Sequence, residues 1–81
     1  MSLIFTLNGL SLPHLIRTKL ANHLQRLARV EDLRALELAR YRAEGFVEGV
    51  EASCVLTPAT IEALFIAVEE AALARRPELT P

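Results

Sequence analysis

The apolar residues of this chain recur in three phased runs, each on a period of about 3.6 residues. Ile16, Leu20, Leu24 and Leu27 share one face, with Thr18, Asn22, Gln25 and Arg29 opposite, so the spacing predicts an amphipathic helix over about 12–29. Ser11 and Pro13 mark its start, because serine can cap free backbone N–H groups and proline is tolerated in a first helical turn. The phase is lost near "RVEDLR", and a second stripe begins: Leu33, Leu36, Ala39, Ala43, Phe46, Val47 and Val50 predict a helix over about 33–52 with Asp32 as its cap. No glycine or proline forces the break, so one bent helix from 12 to 52 is the alternative. After "CVLTP", a third helix is expected over about 58–75. Thr57 would cap it, Pro58 would take its first position, and Ile61, Leu64, Phe65, Val68, Ala71 and Ala72 would form its buried face. Arg75 and Arg76 would complement its dipole before Pro77 stops it.

Residues 1–10 read differently. "SLIFTLNGL" is nearly continuous in apolar residues and contains the turn signal Asn8-Gly9, so residues 3–7 form either a short strand or an extended arm. No second strand-like run follows. A strand here would therefore pair with its own copy in a dimer. The fold expected is all-α: a helical hairpin plus a third helix, with an extended or short β N-terminal arm, in one small domain spanning 1–81 that self-associates.

Once the three stripes are spent on a core, apolar positions remain. On the second helix Leu38, Gly45, Gly49 and Ala52 fall together on a side far from the main stripe, bordered by Tyr41. Each glycine costs about 1 kcal/mol relative to alanine inside a helix, so the pair needs an explanation. Either another backbone packs closely against them, or Gly45 ends the helix as a left-handed cap and "GFVEG" is a loop. The unbroken phase through Phe46, Val47 and Val50 favours close packing. On the third helix Ile66 and Leu73 lie seven residues apart on the side opposite Ile61, Leu64 and Val68. The run "RAEGFVEGVEA", residues 42–52, resembles the glycine-repeat helices of flagellar export ATPase regulators; the likeness spans that one run and implies no activity, cofactor or partner here.

Composition adds a reason for association. An 81-residue chain has much surface per residue, yet 52% of this one is apolar. Small domains usually gain extra stability from disulfides, metals or oligomerisation. A single cysteine makes no internal disulfide, and two histidines without further cysteines match no zinc spacing, which leaves association. The uncharged opening of residues 1–13 is too short to span a bilayer and lacks a basic start or cleavage site, so a cytoplasmic protein without a membrane partner is expected.

Net charge is −1, unevenly spread. Residues 1–42 carry seven basic and three acidic side chains, whereas residues 43–81 carry two basic and seven acidic. The halves would lie against each other or face a charged partner. Lys19, His23, Arg26 and Arg29 make a basic flank on the first helix. Glu37, Glu44, Glu48 and Glu51 make an acidic ridge on the second, read mainly as a solvated face with pairs such as Arg40 to Glu44.

Catalysis has little to stand on. Cys54 has no neighbouring histidine in sequence and reads as a small buried hydrophobe, and His14 and His23 do not stack on one helix face. There is no glycine-rich phosphate loop, and no cofactor or metal is expected. Nucleic-acid binding is the alternative. Strand, helix, helix is the order of ribbon-helix-helix dimers, and the first helix is basic. The readers are missing, however, because "LIFTL" offers only threonine to base edges. The function expected is that of a non-enzymatic protein-protein interaction module: a regulator, adaptor, inhibitor or assembly chaperone. Its contacts would be Leu38, Tyr41, Gly45, Gly49, Ile66 and Leu73, with Leu3 and Phe5 of the arm as a second self-contact.

Overall fold

The computed structural model describes residues 12–80. Leu3, Phe5, Ser11 and the whole expected arm lie outside the described residues. Within them the chain forms three helices and no strand: α1 (His14–Arg29), α2 (Leu33–Ala52) and α3 (Pro58–Leu79). Each helix packs on both others, so the architecture is a three-helix bundle. The bundle measures 40 × 25 × 19 Å, and α3, with 22 residues, rises about 33 Å.

Local chemistry accounts for most boundaries. α1 starts behind Pro13, which sits just before the first helical residue and not inside the first turn, and its carbonyl accepts the Arg17 N–H at 3.0 Å. Val30 then turns extended and breaks the chain between α1 and α2, which removes the single bent helix from consideration. Asp32 restarts it, its carboxylate accepting the Ala35 N–H at 2.7 Å. Thr57 does the same for α3 through the Thr60 N–H at 3.2 Å, with Pro58 as the first helical residue. Such caps each contribute about 1 kcal/mol.

The core is Leu20, Leu24 and Leu27 from α1, Leu36, Ala39, Ala43, Val47 and Val50 from α2, and Ile61, Leu64, Val68, Ala71 and Ala72 from α3. Ile16, Phe46 and Phe65 are half-buried against it. Burying one large aliphatic side chain contributes about 1.5–3 kcal/mol, and six of these residues are essentially sealed: Leu20, Leu27, Leu36, Leu64, Val47 and Val68. Ala67 of α3 is buried as well, although it lay outside the expected stripe.

Four expectations are corrected. Leu33 is exposed, because at about 100° per residue it stands roughly 80° from the middle of α2's buried face. Cys54 is exposed and not a core residue: the chain leaves α2 through Ser53, and Cys54 takes a left-handed backbone with φ of 60° while its N–H bonds the Glu51 carbonyl at 3.1 Å. That bond is the kind a left-handed helix cap makes, at a position usually given to glycine. α3 does not stop before Pro77 but runs through it to Leu79. The lost donor falls in the final turn, where the Thr80 hydroxyl donates to the Arg76 carbonyl at 3.0 Å and Leu79 packs on the core. Gly45, finally, ends nothing. α2 continues through both glycines without a positive φ, so the loop alternative is removed.

Candidate interaction surface

α2 presents three kinds of surface. Its inward side is the core. One flank leans on α3 and is tied down by charge. Arg40 donates to Glu37 at 2.9 Å and to Glu44 at 3.1 Å, and its guanidinium lies 3.9 Å from Glu69 of α3. Arg76 of α3 reaches back to the other Glu37 oxygen. Hydrogen bonds from Arg40 and then Arg76 hold the Glu37 carboxyl below the usual glutamate range, and the Glu37 bond is the main cause raising Arg40. The acidic ridge is thus partly neutralised, and its cross-helix partner is α3 and not the basic flank of α1.

The third surface of α2 faces away from the bundle. Leu38 and Tyr41 are 51% and 71% exposed, and Gly45, Gly49 and Ala52 continue the strip toward the C-terminus. A Cβ built on either glycine would meet nothing within 4 Å. The close packing expected of these glycines is therefore absent within the chain, and their helical cost is not offset there. Arg42 and Glu48, on the two edges of the strip, enter no ion pair among the described residues.

α3 carries a second outward strip. Ile66 and Leu73 are 51% and 56% exposed, opposite the buried Leu64 and Val68, and exposed Ala59 and Pro77 extend their line. Glu62, Glu69 and Glu70 stand beside it, all exposed. The outward strips of α2 and α3 are separate ridges, because each points away from the shared core along its own helix, with the Glu37, Arg40, Glu44 and Glu69 cluster between them.

α1 is the contrast. Its outer side carries Thr18, Lys19, Asn22, Gln25, Arg26 and Arg29, all exposed, with Leu15 the large apolar residue among them. Shallow grooves run among Asn22, Gln25, Arg26 and Arg29 and among Lys19, Asn22, His23 and Arg26. His23 is not wholly part of this flank. Its ring lies 5.1 Å from that of Phe46, tilted by 32°, and is half-buried between α1 and α2. Burial first, then the charges of Arg26 and Lys19, push its pKa down.

One contact was invisible in the sequence. Arg75 donates through Nε at 3.0 Å and Nη2 at 2.7 Å to the Val30 carbonyl, closing the α1–α2 link from α3, and holds Glu78 at 2.8 Å. Forty-five positions separate donor and acceptor, so local pattern carried no signal for it. From sequence the same arginine reads only as a complement to its own helix dipole.

Among the described residues no group of three or more His, Cys, Asp or Glu side chains converges as a metal site. No described helix is long and apolar enough to cross a membrane. An open groove of about 400 Å³ is lined by Glu51, Pro58, Ala59, Ile61, Glu62 and Phe65. Comparison with protein-family models, curated proteins and solved structures finds no match to this chain.

Proposed function

We propose that this protein is a non-enzymatic cytoplasmic interaction module, a regulator, adaptor, inhibitor or assembly chaperone, that works through exposed apolar helix faces and requires no cofactor. The observation carrying the reading is the α3 strip. Ile66 and Leu73 remain half-open although α3 already fills the core with its other side. Isolated exposed apolar residues are ordinary; two on one line, repeated by Leu38 and Tyr41 on α2, make a surface that gains from being covered. With Glu62, Glu69 and Glu70 beside it, the α3 strip suits an amphipathic segment of another protein that has basic residues flanking its apolar side.

A photo-crosslinking residue placed at Ile66 or Leu73 in the native cell tests this. Discrete protein adducts at both positions, absent when the same residue replaces Gln25 on α1, are expected. Equal labelling at all three positions would remove the reading.

The second reading is a dimeric nucleic-acid-binding regulator of ribbon-helix-helix type. Lys19, Arg26 and Arg29 support it, since all are exposed on a helix that contains no acid. Contacts of that kind are to phosphate and are weak and salt-sensitive. A nanomolar, sequence-dependent gel shift at physiological salt would place this reading first.

A further inference from the structure

We infer that the outward strip of α2 is covered by the same strip of a second copy, with the two helices parallel. The inference rests on reading the exposed helix faces as contact surfaces and adds an occupant and an orientation. Tyr41, Ala52, Gly45, Leu38 and Gly49 occupy an arc of about 80° opposite the buried face of α2, with exposed Arg34 in the same arc at its N-terminal end. Bulky Leu38 and Tyr41 stand at one end, and the shallow Gly45 to Ala52 stretch lets two backbones approach in the middle. The open space around both glycines is what a partner helix would fill.

Charge decides who the partner is and which way it runs. Arg42 lies about 60° to one side of the strip and Glu48 about 60° to the other, each exposed and neither paired within the chain among the described residues. Glu37 lies further out on the Glu48 side. One edge of the strip is therefore basic and the other acidic, so the two edges complement each other. Exposed Arg34, in the first turn of α2 in line with Ala52, meets its own copy in the parallel arrangement, one like-charged pair against two Arg42–Glu48 pairs. A two-fold axis running along the helix pair keeps the helices parallel and sets each Arg42 edge against the other copy's Glu48 edge, twice over. A two-fold axis across the pair makes them antiparallel and sets Glu48 edge against Glu48 edge. The α3 strip has no such property, because Glu62, Glu69 and Glu70 would meet their own copies. A single helix pair is small for a specific interface, so the dimer dissociates on the order of micromolar.

Three measurements test this on the full chain in a Cys54→Ser background, which removes the exposed native thiol. Under mild oxidation Leu38→Cys and Ala52→Cys should each form covalent homodimers alone, and Gln25→Cys should not. In sedimentation, Arg42→Glu or Glu48→Arg should each raise the dimer dissociation constant roughly tenfold, and the two together should restore it. Gly49→Leu should give a monomer of unchanged helix content by circular dichroism. Disulfide yields at 38 and 52 no higher than at 25, or a dimer formed only when the two cysteine variants are mixed, would overturn the proposal. So would a monomer at tens of micromolar or failure of the charge swap to rescue. Arg42 and Glu48 are exposed on the surface, so their variants keep the test open if Gly49→Leu misfolds. Crosslinks at Ile66 and Leu73 separate the two ideas: specific adducts there from a chain that is monomeric without any charge substitution remove this inference alone, and loss of their specificity while the dimer persists removes the broader reading.

Discussion

Leu36 and Leu38 stand two residues apart on the same helix, and one is sealed in the core while the other is half in water. The same division runs the length of α2. Inward lie Leu36, Ala39, Ala43, Val47 and Val50; outward lie Leu38, Tyr41, Gly45, Gly49 and Ala52. The inner face has what stability asks for: large or well-fitted apolar groups against two neighbouring helices. The outer face has the reverse, glycine where a helix prefers alanine and large apolar groups where water prefers charge. The teaching is that burial in this chain accounts for one face of α2 and leaves the other without a purpose inside the fold.

Substitutions can sharpen that division. Leu36→Ala should destabilise the chain by about 2–5 kcal/mol in urea unfolding, whereas Leu38→Ala should cost under about 1 kcal/mol. Comparable losses at both positions would erase the contrast. Next in size is the clamp from outside α2. Arg75→Ala frees the Val30 carbonyl of both guanidinium bonds and should cost about 1.5–3 kcal/mol, and Arg75→Lys should recover only part of it because an ammonium cannot fork in the same way. Smaller still are the backbone effects, read at concentrations that keep the chain monomeric. Gly45→Ala and Gly49→Ala should each raise stability by about 1 kcal/mol, since nothing in the chain obstructs a Cβ there. Cys54→Gly should add a similar amount by relieving the left-handed residue.

The smallest effect is a pH dependence at the edge of the inner face. The His23 pKa is lowered in the folded chain, so folding favours the neutral ring. Its contribution is complete above the unfolded value and is lost as pH falls from there through the folded value. Stability should therefore decline on acidification just below the ordinary histidine range, and His23→Gln should flatten that decline. Glu37 acts lower on the scale. Its folded pKa is depressed, so its contribution is present above the usual glutamate value and fades as pH falls through the folded one.

What could be read from sequence was whatever is settled within a turn or two of helix. Asp32, Thr57 and Pro58 announced their helix starts because caps act over three residues. The stripes of α1 and α3 mark their buried faces, and Leu38, Ile66 and Leu73 stand out as apolar residues outside every stripe. What failed depended on the ends of helices or on distant partners. Leu33 belongs to the apolar pattern but sits a quarter turn from the core. Cys54 looked buried by residue type, whereas its place just past Ala52 puts it in a turn. Pro77 looked like a stop, yet the last turn of a helix can lose one donor when Thr80 and Leu79 hold it. Glu37 to Arg76 and His23 to Phe46 are long-range meetings that no local period encodes.

The most direct test of the division is urea unfolding of the chain carrying Leu38→Lys, Ile66→Lys and Leu73→Lys together, at a concentration that keeps it monomeric. Stability should fall by less than about 1 kcal/mol per site with an unchanged dependence on denaturant. A loss of about 2–5 kcal/mol per site would place these side chains among those that hold the fold and contradict the account.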